Sequence, residues 1–239
     1  FIGYYGIILP CASKTQTLHI FYSLGVHFGL FTRHTVGLLC IYSVRCGPNT
    51  DKCKVYGDWV LVWAVSDNPK GHELLPNVSS SHVEMKLRPD NKTIEYNERN
   101  VLLGNKVCVV FRGNICASYF LNLTIPDDDH EYYSPIHAGA IEENDGVRKP
   151  FNESAELDFL ESCDDCMAIL YNSKTIGRYL MIYKSDGHHR DVDQLKTAQA
   201  DHEKQAKCLG FPVEHLFIYN GTTDFCHKKS APEEKTAEH

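Results

Sequence analysis

The sequence Cys163-Asp-Asp-Cys166 contains two cysteines at the spacing typical of thiol–disulfide chemistry. A Cys-x-x-Cys pair can exchange between dithiol and disulfide, and it is reactive when the first thiol lies at a helix N-terminus, which lowers its pKa. Here a strand-like run follows at residues 167–171, and the two acids between the cysteines raise the thiol pKa. The pattern favours a structural disulfide over a redox centre.

Histidines and acids also lie close together, but their spacing does not match that of a metal site. Adjacent His188 and His189 project apart in a loop, and with His202 they lack the acid or cysteine that would complete a tetrahedral zinc site. The acidic run at residues 127–131 lacks the alternating ligand spacing of a calcium loop. The sequence contains no Gly-x-Ser-x-Gly turn for a nucleophilic serine. We therefore expect no metal, no cofactor and no enzymatic activity.

The composition indicates the compartment and the class of partner. The chain has 239 residues and ten cysteines, far more than intracellular proteins usually carry. Five Asn-x-Ser/Thr sequons accompany them, at Asn77, Asn91, Asn122, Asn152 and Asn220. Together these features predict an extracellular, secreted glycoprotein. The net charge of −7 argues against nucleic acid as a partner.

The two ends of the chain differ from its body. Residues 1–52 are apolar without strand alternation or helix caps, so we interpret them as an incomplete, mis-predicted or signal-like segment. Their apolar stretches are shorter than the run of about 18 residues that a spanning helix needs, so we expect no stable membrane insertion. Residues 231–239 should form a disordered tail. The ligand-binding domain is therefore expected at residues 53–230.

Short β-type runs dominate the body. Residues 57–65 are rich in β-branched and aromatic residues, and strict alternation places Trp59, Leu61 and Trp63 on one face. Residues 81–88 alternate apolar and charged side chains, and residues 93–98 follow after a turn, so these two strands should form a hairpin. Further strands are expected at residues 117–125, 155–160, 167–171, 178–184 and 215–219.

One segment has helical instead of β periodicity. Residues 191–209 begin with an aspartate cap, continue with Gln194 three residues later and end before Gly210. A meander of about eight antiparallel strands must protect its edges, and at this length it does so most simply by closing into a barrel that holds one small ligand. We predict an all-β fold, an eight-stranded antiparallel barrel with one C-terminal flanking α-helix.

The order of these features, and several phrases within them, resembles the lipocalin superfamily. Gly57-Asp58-Trp59 is similar to the lipocalin Gly-x-Trp motif, in which the tryptophan plugs the closed end of the barrel. Six phrases resemble, more specifically, the pufferfish saxitoxin- and tetrodotoxin-binding proteins, relatives of α1-acid glycoprotein: GDWVLVW (57–63), IEYNERN (94–100), ESCDDC (161–166), GRYLMIY (177–183), DVDQLK (191–196) and DFCHKK (224–229). The resemblance covers residues 53–230 and implies a secreted lipocalin carrier.

The resemblance also implies a disulfide framework. It joins Cys53 to Cys208, and it joins Cys226 to Cys116 or to Cys108. The choice stays open because two similar segments, at residues 104–108 and 113–116, each end in one of these cysteines. The pair Cys163 and Cys166 remains as a local disulfide. The chain departs from a frequent lipocalin pattern at Lys184, where an arginine often stacks on the plug tryptophan.

The ligand implied by the resemblance is a guanidinium toxin such as saxitoxin or tetrodotoxin. A guanidinium requires a carboxylate for charge-assisted hydrogen bonds and aromatic faces for cation–π contact. Strand parity points Glu98 into the barrel beside Tyr96, and it places three further aromatic residues on inward faces. The predicted ligand-binding residues are Trp63, Tyr96, Glu98, Tyr179 and Tyr183.

Three alternatives belong to other functional classes. One is transport of an apolar ligand, as in α1-acid glycoprotein or apolipoprotein M. A second is a redox enzyme that uses Cys163 and Cys166. A third is a non-functional copy of a carrier, which the unusual composition of residues 1–52 suggests. Ligand titration separates the first from a toxin carrier, and counting free thiols tests the second.

Overall fold

The computed structural model describes residues 55–103, 114–127, 133–161, 163, 165–221 and 225–226. Within these ranges the chain forms ten strands, two α-helices and two 3₁₀ turns at Leu75–Asn77 and His188–Arg190. The predictions for residues 1–52 and 231–239 lie outside the described residues, as do Cys53, Cys108 and most of the acidic run at 127–131. The strands and helices, in chain order, are β1 Gly57–Ser66, α1 Pro69–Leu74, β2 Val78–Leu87, β3 Thr93–Leu102, β4 Ile115–Thr124, β5 Ser134–Asn144, β6 Val147–Pro150, β7 Ala155–Glu161, β8 Cys166–Ser173, β9 Gly177–Ser185, α2 Val192–Cys208 and β10 Phe217–Ile218.

The strands form one curled antiparallel sheet in the order β6-β5-β4-β3-β2-β1-β9-β8-β7. The short strand β10 lies outside this order and pairs with β1. The sheet curls until the backbone of Tyr133, the residue before β5, exchanges hydrogen bonds of 3.0 and 2.9 Å with Leu157 on β7. This contact brings β5 next to β7, so the curled sheet surrounds an interior lined by every second residue, while the exposed strand β6 stays at one edge. The predicted all-β fold, an antiparallel barrel with one long helix near the C-terminus, is confirmed.

The strand count differs from the predicted eight, because β5 and β6 are additional. The β5 sequence contains Pro135 and Gly139, which are poor strand formers, and Gly139 adopts a φ of +82° that most residues avoid. Local propensity in this segment is therefore weak. Backbone pairing with β4, for example of Phe120 with Ile141, therefore stabilises β5 as a strand.

A β-bulge in β1 overturns one prediction. Leu61 pairs with Tyr183 on β9, but Trp63 pairs with the next residue, Ile182, so the register shifts by one residue between Leu61 and Trp63. An extra residue in one strand reverses the faces beyond it. Trp63, predicted to line the barrel, therefore faces outward, where its ring lies 5.9 Å from that of His202 on α2. Trp63 is a packing residue between barrel and helix.

The helix α2 begins and ends close to the predicted bounds. The side chain of Asp191 accepts a 3.0 Å hydrogen bond from the backbone N–H of Gln194, as the predicted cap requires. Leu195 and Ala206 bury the face that packs against the barrel. At its C-terminal end, Arg178 on β9 donates a 2.7 Å hydrogen bond to the carbonyl of Leu209, which satisfies a free helix carbonyl.

The closed end of the barrel contains the Gly-x-Trp motif. Gly57 has a φ of +127°, a conformation that favours glycine at the entry to β1. Trp59 is 4% exposed, and its indole N–H donates a 3.0 Å hydrogen bond to the carbonyl of Val55. The ring is therefore both buried and satisfied, which suits a plug at the barrel base.

Candidate ligand-binding site

The barrel encloses a cavity of about 190 Å³ that opens beside α1. Aliphatic side chains such as Leu61, Leu121 and Leu157 form much of its wall. Among the described residues that line it, Glu98 is the only one with a charged side chain. Six aromatic residues surround the same space: Tyr96, Tyr119, Phe151, Tyr171, Tyr179 and Tyr183.

Glu98 is held by two neighbours from its own strand. On β3, alternation places Tyr96, Glu98 and Asn100 on the inward face. The Tyr96 hydroxyl donates a 3.1 Å hydrogen bond to Oε2 of Glu98, and the Asn100 amide donates a 2.9 Å hydrogen bond to Oε1. The carboxylate is thus fixed by one neutral donor on each oxygen.

The electrostatic state of Glu98 follows from these surroundings. Burial raises the pKa of the Glu98 carboxyl above its usual range, and the hydrogen bonds from Asn100 and Tyr96 oppose that rise only in part. Neutral donors orient a carboxylate but do not neutralise its charge. The site therefore has a fixed anionic position without a positive charge among the described lining residues to balance it.

The tyrosines around Glu98 present neutral rings and hydroxyls. Burial, followed by the charge of Glu98, raises the pKa of Tyr96 and of Tyr183 well above the ordinary value, so both stay protonated. Tyr171 and Tyr179 meet edge to face with ring centroids 6.1 Å apart. Such rings offer electron-rich faces to a cation and hydroxyls to its polar atoms.

The structure brings together four of the five predicted ligand-binding residues, Tyr96, Glu98, Tyr179 and Tyr183, and Trp63 is the exception described above. Sequence reasoning missed Asn100 and three aromatic residues of the site, Tyr119, Phe151 and Tyr171. Asn100 continues the inward parity of β3, a signal that was available. Tyr119 belongs to the site because it pairs with Glu98 in the β3–β4 ladder. Tyr171 belongs to it because it pairs with Tyr179 in the β8–β9 ladder. Those pairings depend on strand register that the sequence alone does not give.

The Cys163–Cys166 pair lies at the closed end, away from this cavity, and it forms a disulfide. Between the two cysteines, Asp165 accepts hydrogen bonds of 2.9 and 3.0 Å from the Lys184 ammonium and pairs with His188 at 2.9 Å. Cys163, Asp165 and Cys166 are close enough to share a metal ion, but as a disulfide the two sulfurs are not thiolates. Lys184 thus binds Asp165 in this cluster.

The remaining cysteines connect the C-terminal segment to the barrel. Of the two partners left open for Cys226, the structure pairs it with Cys116 at the start of β4, with a Cα–Cα separation of 5.6 Å. Cys208, the last residue of α2, is also disulfide-bonded. Its predicted partner, Cys53, lies outside the described residues. The Cys116–Cys226 bridge fastens the residues after β10 to the start of β4.

Sequence comparison then identifies relatives of this barrel. The chain is 40% identical over 210 residues to "Saxitoxin and tetrodotoxin-binding protein 1" of Takifugu pardalis, and it is equally similar to "Saxitoxin and tetrodotoxin-binding protein 2" of the same fish. The chain is a relative of these two proteins. Each alignment covers 82% of this chain and 50% of the pufferfish protein, so the chain spans about half the length of these relatives. The resemblance predicted from the sequence is confirmed.

Two further comparisons complete this picture. A solved structure of a siderocalin, described as "The Siderocalin Ex-FABP functions through dual ligand specificities", matches with a TM-score of 0.48 at 14% identity, over 72% of this chain and 98% of that one. No family model matches the chain. Neither described helix has the length and apolar character needed to cross a bilayer.

Proposed function

We propose that this protein is a secreted lipocalin carrier that binds a small cationic molecule in its barrel, with a guanidinium toxin such as saxitoxin or tetrodotoxin as the ligand. The observation that supports this proposal is Glu98, a cavity carboxylate held by the neutral donors Tyr96 and Asn100. The names of the pufferfish relatives supply the class of ligand.

The geometry of Glu98 suits a guanidinium. Each carboxylate oxygen has two acceptor positions, and one on each oxygen is already taken by Tyr96 or Asn100. One position on each oxygen is left for a guanidinium, which can donate two parallel hydrogen bonds to a carboxylate. The surrounding tyrosine rings add cation–π contact in a partly dry space, where such contact is strongest.

Secretion and glycosylation are part of the proposal. The described disulfides are typical of proteins from oxidising compartments. All five sequon asparagines are described, and four are exposed at the surface: Asn77, Asn91, Asn152 and Asn220. Asn122 is half-buried on the outer face of β4. We expect glycans at these sites in the secreted protein.

A carrier is favoured over a redox enzyme by the position of the Cys163–Cys166 disulfide. The pair leads into strand β8, which begins at Cys166, and not into a helix whose N-terminus would activate a thiol. Efficient turnover in an insulin-reduction assay that Cys163→Ser abolishes would overturn this assignment.

Isothermal titration with tetrodotoxin and with a fatty acid tests the proposed ligand class. We expect wild type to bind the toxin, and Glu98→Gln to lose about 1.5–3 kcal/mol of affinity, or roughly 10- to 100-fold, because the charge-assisted hydrogen bonds become neutral. The matched control is Glu95→Gln, on the same strand but half-exposed on the outer face beside Arg88. It should bind the toxin as wild type does.

The aliphatic part of the cavity wall makes apolar-ligand transport the second candidate. An uncompensated carboxylate opposes apolar ligands, so Glu98→Gln should leave fatty-acid binding unchanged or improve it. Binding of the fatty acid alone by wild type would replace the toxin proposal with this one. Toxin binding that Glu98→Gln does not weaken would keep the carrier but remove Glu98 from the site.

A further inference from the structure

A second carboxylate, that of Glu153, lies near the mouth of the same cavity. It hydrogen-bonds Thr175, whose carbonyl accepts from Lys70 on α1 and whose neighbour Ile176 lines the cavity. Phe151 and Leu157 both line the cavity, and Glu153 lies between them in the segment that leads into β7. Ala155 pairs with Ser173, the last residue of β8 before the turn into β9. Glu153 lies two residues before Ala155, outside the β7–β8 ladder, and it is half-buried.

Hydroxyl groups fix the position of Glu153. Its Oε1 accepts hydrogen bonds from the hydroxyl of Ser173 and, at 2.5 Å, from that of Thr175. Oε2 accepts no hydrogen bond from the residues that the structure describes. The nearby Lys70 ammonium donates to the carbonyl oxygen of Thr175, at 3.4 Å. Like Glu98, Glu153 is oriented by neutral donors, but both of its donors bind the same oxygen.

The tyrosines of the cavity lie between the two carboxylates. Tyr171 is two residues before Ser173 on β8, and it contacts Tyr179 edge to face. Burial raises the pKa of Tyr171, and the charges of Glu153 and Glu98 raise it further, as expected for a ring that feels both acids. The cavity therefore has one anionic position inside and a second at its mouth.

We propose that Glu153 forms an outer anionic subsite, so that the cavity prefers dications, with one positive group at Glu98 and a second at the rim, over monocations of the same size. The inference rests on the proposed function, because it assumes that Glu98 binds the first positive group. Glu153 acts here as a specificity-determining residue. A dication whose second positive group is too close to the first cannot reach Glu153, so this group does not increase its affinity.

Matched ligands test this inference. We would titrate the full chain with n-alkylguanidines and with ω-aminoalkylguanidines of equal and increasing chain length, which differ by the terminal ammonium. At the best length, wild type should bind the amino compound about tenfold more tightly, the usual gain from one charge-assisted hydrogen bond. Glu153→Gln should remove this preference and leave the affinity for n-alkylguanidines unchanged.

Two further variants separate a subsite from a general effect of negative charge. Glu156→Gln removes an exposed carboxylate on β7, three residues after Glu153. This variant should still prefer the amino compounds over the n-alkylguanidines. Glu98→Gln should weaken both ligand classes by similar factors, because both use their guanidinium there. Near-UV circular dichroism of each variant establishes that it is folded.

The outcomes distinguish this inference from the proposed function. If wild type prefers the amino compounds at no chain length, the outer subsite is overturned. It is also overturned if Glu153→Gln keeps this preference. If wild type binds tetrodotoxin but neither alkylguanidine class, the outer subsite is also overturned while the proposed function stands. If wild type binds none of these cations, the proposed function fails, and this inference fails with it.

Discussion

Asp165 at the closed end of the barrel and Glu98 in the cavity are both partly withdrawn from water, but their partners differ. Burial raises the pKa of Asp165, yet hydrogen bonds from Lys184 and His188 outweigh this effect and leave the pKa below its ordinary value. Glu98 has only neutral partners, and its pKa stays raised. Among the described residues, Asp165 has a counter-charge in Lys184, whereas the donors that hold Glu98 are neutral.

This difference gives the two carboxylates opposite effects on stability. A carboxyl whose pKa is lowered on folding stabilises the protein above its unfolded pKa, and this contribution is lost as the pH falls through the folded pKa. A carboxyl whose pKa is raised favours folding in its protonated form, so its contribution is lost as the pH rises through the folded pKa. Asp165 follows the first pattern and Glu98 the second.

The largest expected effect is at the closed end. Trp59→Ala removes a ring that is 4% exposed and leaves a cavity at the barrel base, so the free energy of unfolding should fall by about 3–5 kcal/mol. Chemical denaturation measures the loss. Exposed Tyr56→Ala is the control and should cost far less. Equal stability of the two variants would show that Trp59 does not plug the barrel.

A smaller loss is expected from Asp165→Asn. At neutral pH it weakens the pairs with Lys184, whose side chain is 9% exposed, and with His188, and it should cost about 1–2 kcal/mol. The deficit relative to wild type should shrink as the pH falls below the usual range of aspartate, because wild-type Asp165 then becomes neutral as well. Denaturation curves at several pH values measure this, with exposed Asp201→Asn as control. A deficit that does not change with pH would contradict the ion-pair account.

The sign should reverse for Glu98→Gln. Replacing an uncompensated carboxylate by a neutral amide of the same size removes the cost of burying charge, so stability at neutral pH should rise, by up to about 1 kcal/mol. The gain should vanish in acid, where wild-type Glu98 is protonated. Thermal unfolding without ligand measures it, and Glu95→Gln should show no such gain. A destabilised Glu98→Gln would mean that the carboxylate serves the fold and not a ligand.

The smallest expected effect concerns the two sides of the β1 bulge. Trp63 faces α2, so Trp63→Phe should leave toxin affinity within about twofold of wild type, while stability falls modestly, by about 1 kcal/mol. Tyr183→Phe, on the cavity side, removes a hydroxyl that faces the ligand space and should change the affinity more. Titration of both variants compares the two faces. A larger loss of affinity in Trp63→Phe would place that ring in the site after all.

The same bulge shows which parts of this protein its sequence could predict. The helix and most strands were predictable because caps and alternation are local signals, and Glu98 followed from the parity of an uninterrupted strand. Trp63 was assigned to the wrong face because a single extra residue in β1, which leaves no clear local signal, reverses the alternation. β5 was missed because pairing with β4, and not its own residues, makes it a strand.

Carbon-detected NMR of the Glu98 side chain tests the central claim most directly. In the free protein, the pKa of Glu98 should lie above the usual range of glutamate, because the carboxylate is buried among neutral donors. Saturation with tetrodotoxin should lower that pKa below the usual range, because a bound guanidinium favours the charged form. A pKa of Glu98 that tetrodotoxin leaves unchanged, in a protein that binds the toxin, would contradict the account.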